Sequence, residues 1–171
     1  TWVRRSDLID EIINPSFYSA DRLQTLSELE ARSIEGYELR TLSEIAKCVT
    51  LGRKSKNTSD NVKHISVLHI NPDCTIDFQQ VLSYAPISKG RTCFKGDILF
   101  SKINPRIPRM TVVPEFDKDL VCSNEFEIFQ PSADIGAYAI CFLLKTSYVA
   151  RQIENLTSGT SSSHSRIKRE Q

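Results

Sequence analysis

The chain has 171 residues, 40% hydrophobic and 25% charged, with a formal net charge of +1. That length suits one well-cored domain and is short for two, and the composition is that of an ordinary globular protein. A balance so near zero excludes a uniformly basic protein of the histone type. No stretch approaches the ~20 apolar residues that span a membrane, and none has the form of a signal peptide.

Taken in order, Ser6 to Ile13 has a capping serine, acids in the first turn and apolar residues at helical spacing, which predicts a helix ended by Asn14-Pro15. Asp21 to Ser33 predicts an amphipathic helix carrying Leu23, Leu26 and Leu29, closed by Gly36. A short helix is expected from Leu42, capped by Thr41 or Ser43, with Ile45, Ala46 and Val49 inward. Arg53 to Asn61 is polar and basic and reads as an exposed loop. Val62 to Ile70 alternates as a strand. His64 and His69 have no third ligand at metal spacing, so they are expected to be satisfied strand-edge histidines. After the Asn71-Pro72-Asp73 turn, Ile76–Leu82 and Tyr84–Ile87 are expected to be extended.

The central stretch is Lys95-Gly96-Asp97-Ile98-Leu99-Phe100-Ser101-Lys102. Gly96-Asp97 predicts a turn, with both residues assigned to structure, and Ile98-Leu99-Phe100 a short buried strand. The loop behind it, Ile103 to Arg109, is stiffened by Pro105 and Pro108 and carries Arg106 and Arg109. Met110–Val113, Leu120–Cys122 and the strictly alternating Glu125–Phe129 predict three more strands. Tyr138 to Leu156 predicts one long helix with Tyr138, Phe142, Leu143, Val149 and Ile153 inward. A Ser/Gly-rich loop with many small donors follows, Thr157 to His164. The fold class is therefore α+β, a strand-rich central sheet flanked by N-terminal and C-terminal helices.

Charge is segregated along the chain. Residues 91–110 carry Arg91, Lys95, Lys102, Arg106 and Arg109 against Asp97, and residues 51–63 carry Arg53, Lys54, Lys56 and Lys63 against Asp60. Residues 110–135 hold six carboxylates against Lys118. One basic face for a polyanion is the expectation. The five cysteines are widely and irregularly spaced with no Cys-x-x-Cys, which fits buried thiols in a reducing cytoplasm. With Met110 the sole methionine and a basic run at the end, the chain is expected to be processed or cut from a longer protein.

Catalytic signatures are missing. No lysine has Asp or Glu two residues upstream, as a metal-dependent nuclease would need, and there is no Gly-x-Ser-x-Gly elbow, phosphate-binding loop or zinc cluster. The carboxylates of residues 115–127 read as solvated. Asn14-Pro15-Ser16-Phe17 superficially matches the base-holding motif of amino-methyltransferases, but too little chain precedes it to hold a cofactor-binding half.

The order Leu42-Ser43-Glu44-Ile45-Ala46, a basic glycine-containing loop, Lys95-Gly96-Asp97-Ile98-Leu99-Phe100-Ser101, Ser123-Asn124-Glu125-Phe126, Tyr138 in a helix and Thr157-Ser158-Gly159-Thr160 resembles a target recognition domain. Such domains belong to the DNA specificity subunits of prokaryotic type I restriction-modification systems and to recognition regions fused behind N6-adenine methyltransferases. The resemblance covers roughly residues 37–171. It implies that residues 36–171 form the recognition domain, truncated before the family's next helix, and that residues 1–35 are an N-terminal helical segment, either a linker from a methyltransferase region or part of this domain. It implies a cytoplasmic, non-catalytic, cofactor-free reader of double-stranded DNA. Its partners would be a methyltransferase, separate or fused, and a restriction translocase/nuclease subunit. The expected DNA-facing residues, chosen from charge and position, are Arg53, Lys54 and Lys56 in one loop, Lys102, Arg106 and Arg109 in another, and Ser158, Gly159 and Thr160 toward phosphate. The rival reading is a protein-interaction module whose basic loops meet an acidic partner.

Overall fold

The computed structural model describes residues 15–105, 107–154, 156 and 165–167. The expected helix at Ser6–Ile13, Arg106 and the Ser158-Gly159-Thr160 loop lie outside the described residues.

Helix α1 spans Ala20–Ile34 and ends at Gly36, whose φ of +95° suits the missing side chain. A four-residue helix α2, Leu42–Ile45, is fixed by a reciprocal cap in which the Thr41 N–H donates to the Glu44 carboxylate at 2.6 Å. The chain turns at once into strand β1, Ala46–Cys48. Strands β2 (Ser55–Lys56) and β3 (Val62–Ile65) follow, then helix α3 (Phe78–Ser83). Next come β4 (Gly90–Cys93), β5 (Ile98–Ser101), β6 (Met110–Val112), β7 (Asp119–Cys122) and β8 (Phe126–Pro131). Helices α4 (Ala137–Leu144) and α5 (Ser147–Ile153) close the order.

The α+β class holds, and the strand-rich middle is two sheets. One runs β1-β8-β5-β6, antiparallel throughout, and the other β2-β4-β7-β3, with β3 parallel to β7. Strand β5 shows how they stack. Ile98 and Leu99, both fully buried, point to opposite faces as successive strand residues must. Leu99 joins Ile65, Val81, Leu120, Phe126 and Ile128 in a core shared with the second sheet, while Ile98 joins Met110, Ile140 and Leu144 beneath α4. The order of layers is α4 and α5, first sheet, second sheet, with α3 packed through Val81 against the second. At the other margin α1 lies along α5, with Arg32 Nη2 donating to the Tyr148 hydroxyl at 3.3 Å.

Several sequence expectations change. Residues 78–83 are helical, not extended: Asp77 accepts from the Gln80 N–H at 3.1 Å and caps a turn too short for periodicity to reveal. The long C-terminal helix is two, because Thr146 takes extended geometry (ψ 153°) and its hydroxyl donates to the Leu143 carbonyl at 2.7 Å. Its inward residues are Ile140, Cys141 and Leu144, whereas Tyr138 and Phe142 are each 73% exposed. Glu127, expected to be solvated, is buried 3.4 Å from the Lys102 ammonium.

His69 is satisfied, its Nδ1 accepting from the Ser66 N–H at 3.1 Å. His64 is not: both ring nitrogens are buried without a partner, and the ring stacks on Tyr84 with centroids 5.6 Å apart. Burial, with a smaller push from His69, lowers its pKa to about 4. The unfolded chain therefore takes up this proton near pH 6.5 and the folded chain only near 4, so stability is complete above 6.5 and declines as pH falls toward 4. Urea titrations across that window should show the decline, and His64→Leu should flatten it. Gly90 is buried against the same ring; an added Cβ would meet His64 Cδ2 at 2.5 Å and Val121 Cγ2 at 2.7 Å. Gly90→Ala is expected to cost about 1–3 kcal/mol by overpacking, read as a lower urea midpoint at unchanged slope.

Candidate nucleic-acid interface

The first cationic loop is built around one buried carboxylate. Residues 94–97 form a turn closed by the Asp97 N–H donating to the Phe94 carbonyl at 3.0 Å, with Gly96 at a φ of +85° where a side chain would be strained. The Asp97 carboxylate, 2% exposed, folds back to accept from the Phe94 N–H at 2.8 Å. It also accepts from Arg53 Nη2 at 2.6 and 2.7 Å, so a residue 44 positions earlier is pinned to the turn. Burial pushes the Asp97 carboxyl up, and the Phe94 N–H and the Arg53 guanidinium pull it back without cancelling that effect. The guanidinium then lies 4.5 Å from the centroid of the Phe94 ring, whose residue remains 57% exposed.

In front of this assembly is a groove of about 660 Å³, lined by Arg53, Lys54, Lys56, Lys95 and Lys118 against the carboxylates of Glu115 and Asp119. Two of the lysines are held loosely at the rim. Lys56 meets Asp119 at 2.9 Å and Lys95 meets Glu115 at 2.6 Å, with all four side chains substantially exposed. Lys95 keeps the Glu115 carboxyl below the usual carboxylate range. Lys118 Nζ donates to the Asp60 carbonyl at 3.1 Å, while Lys54 is exposed and has no side-chain partner among the described residues.

The second cationic loop lies elsewhere. Asp97 precedes β5 and Lys102 follows it, five residues on, which separates the two loops by about 16 Å of extended chain. Lys102 faces buried Glu127, and its backbone carbonyl accepts from the Ile167 N–H at 3.1 Å. Asn104 N–H donates to the Ser165 carbonyl at 2.9 Å, and Arg166 forms a two-point ion pair with Glu125, so residues 165–167 hold this loop down. Arg109 is half-buried at its far end, where its carbonyl accepts from the Ser101 N–H at 2.9 Å. Of the residues singled out in the sequence, the structure thus unites Arg53, Lys54 and Lys56, and keeps Lys102 and Arg109 at the other end of the strand. Of the residues that line the groove, sequence reasoning did not single out Phe94, Lys95 or Lys118 as site residues. The available signal was an aromatic residue beside Lys95 at the start of the Gly96-Asp97 turn.

Among the described residues no group of three or more His, Cys, Asp or Glu is placed to hold a metal ion, and no helix is long and apolar enough to cross a membrane. The five thiols are free, with Cys93, Cys122 and Cys141 buried.

No protein-family model matches the chain, and no curated protein matches it. Among solved structures, it superposes on a chain of a type I R-M system, from work on that system's complex assembly and conformational transition. The TM-score is 0.51 at 15% identity over 78% of this chain. The likeness is one of fold. The chain spans 37% of the length of that relative.

Removing the buried carboxylate tests the assembly. Asp97→Ala strands the Arg53 guanidinium and uncaps the Phe94 N–H, and is expected to destabilise by about 3–5 kcal/mol. Asp97→Asn keeps an acceptor for that N–H and should cost less; equal losses in chemical denaturation would show that the cap contributes nothing.

Proposed function

We propose that this chain recognises double-stranded DNA sequence-specifically, as the non-catalytic specificity component of a restriction-modification system. Methyl transfer and cleavage are then the work of other subunits or domains. The observation that carries the reading is the groove, where four lysines face two carboxylates in front of a turn clamped by the Arg53–Asp97 pair. The fold, shared with a chain of a type I R-M system, supports it. A duplex offers phosphates at regular spacing, which basic side chains neutralise to fix register, while base edges in the major groove carry the sequence.

In this reading Lys54, Lys56, Lys95 and Lys118 meet phosphates around the groove, and Arg53 supports the surface from behind. Lys102 and Arg109 would follow the backbone further along, with Arg106 and the Ser158-Gly159-Thr160 loop as additional phosphate contacts. Residues 36–171 form the recognition unit, and residues 1–35 lead into it from a methyltransferase region or belong to it. The partners are an N6-adenine methyltransferase, separate or fused, and a restriction translocase/nuclease subunit, and the setting is the cytoplasm.

The test is binding to a pool of randomised duplexes at two salt concentrations, with sequencing of the bound fraction. Recognition predicts enrichment of one short motif and a steep salt dependence. Lys54→Ala with Lys56→Ala should weaken binding to all sequences alike and reduce the salt slope by about two, one for each phosphate that is no longer neutralised. Binding that selects no motif would leave only a phosphate-binding surface. No binding at either salt would favour a module for an acidic protein partner.

A further inference from the structure

Phe94 sits oddly for a groove that only neutralises phosphates. It is 57% exposed, and of the aromatic residues lining the groove it is the one that faces solvent. Phe116, the other, is half-buried and stacked on Phe78 with centroids 4.6 Å apart. The remaining exposed aromatics among the described residues line other surfaces: Tyr138 and Phe142 are on α4, Tyr37 follows α1, and Tyr84 packs on the two histidines. Nor is Phe94 a loose side chain. Its backbone N–H is held by the buried Asp97 carboxylate, its carbonyl by the Asp97 N–H, and one face of its ring by the Arg53 guanidinium. A rigid apolar surface among cations loses little conformational freedom on binding, and a phosphate gains nothing from a phenyl ring. What such a ring can contact on a duplex is an apolar group at a base edge, and in the major groove that group is the thymine C5-methyl.

We propose that Phe94 is a specificity-determining residue that reads the C5-methyl of a thymine, with Arg53 and Asp97 as the positioning residues that fix its ring in the groove. This rests on the DNA-recognition reading above and adds to it which base feature is read and by which side chain. The lysines around it set register and total affinity, and Phe94 sets preference at one base pair.

Replacing thymine by uracil deletes the methyl and leaves every hydrogen-bonding group in place. The experiment takes the motif that the full chain selects from randomised duplexes and substitutes uracil at each thymine in turn. For the wild type, one position should weaken binding about fourfold, the worth of one methyl group removed from water. Phe94→Ala should bind thymine and uracil duplexes equally at that position, with the salt slope unchanged because no charge is removed. Phe94→Leu, which keeps an apolar side chain on the turn, should retain part of the discrimination. A selected motif with no thymine, wild-type indifference to every uracil, or a Phe94→Ala protein that keeps the full penalty would each overturn the inference while leaving DNA recognition standing. Absence of any DNA binding by the wild type would remove both.

Discussion

The contact between Arg53 and Asp97 joins two parts of the molecule that lie 44 positions apart in the chain. Arg53 lies between β1 of the first sheet and β2 of the second, and Asp97 opens a strand at the first sheet's centre. An ion pair taken out of water regains little net free energy, since desolvation of both charges offsets their attraction. The upward push on the Asp97 carboxyl agrees, because burial outweighs the favourable contacts. Stability is therefore a poor explanation for charges at this point, and an apolar pair of similar volume would hold the loops as well. What an apolar pair could not do is direct the Phe94 N–H, the turn and a flat guanidinium toward one place. The pair fixes geometry, and the wall of the groove follows from it.

Strand β5 imposes the second constraint. It is buried on both faces, Ile98 toward the helices and Leu99 toward the second sheet, and flanked by β8 and β6 on its two edges. Such a strand cannot slide, because a one-residue slip would exchange the two cores. The cationic loops at its ends are therefore held at a fixed separation of about 16 Å. They differ in kind. The loop beyond Lys102 has its backbone paired with residues 165–167 and its lysine turned to a buried glutamate, whereas Lys54 lies exposed in the groove at the other end.

The parts of this fold legible in the sequence were those with an uninterrupted apolar run or a long period, α1, β5, β6, β7 and β8, together with α2, whose Thr41–Glu44 cap is a local signature. Local competition hid others. Phe78–Ser83 is under two turns long, so its helix depends on the Asp77 cap, and Thr146 breaks a periodicity that otherwise runs on to residue 153. Glu127 failed for a reason of architecture. Strict alternation in β8 correctly places it opposite Phe126 and Ile128, but the opposite face is covered by α4 and α5 and not by water. Alternation tells which residues share a face and not what covers that face. The basic segment at 53–56 was visible as composition but not as structure: Ser55–Lys56 pairs with β4 as a strand, and Arg53 proved to be bound to a carboxylate 44 positions away. A pairing at that distance leaves no local trace.

That pairing separates the cations of the groove into two kinds. Lys56 and Lys95 are tied to Asp119 and Glu115 by exposed contacts, which contribute little and are screened by salt. A phosphate can displace either carboxylate at small cost. Arg53 cannot be exchanged in this way, because releasing it would leave the Asp97 carboxylate buried and alone. In the proposed reading, a surface that accepts many sequences during search and chooses one at the end needs both behaviours. Adaptable charges would then hold the duplex whatever its bases are, and something rigid would be unable to adapt when the bases are wrong. In this molecule the rigid element is the turn at residues 94–97, and the buried ion pair behind it keeps it so.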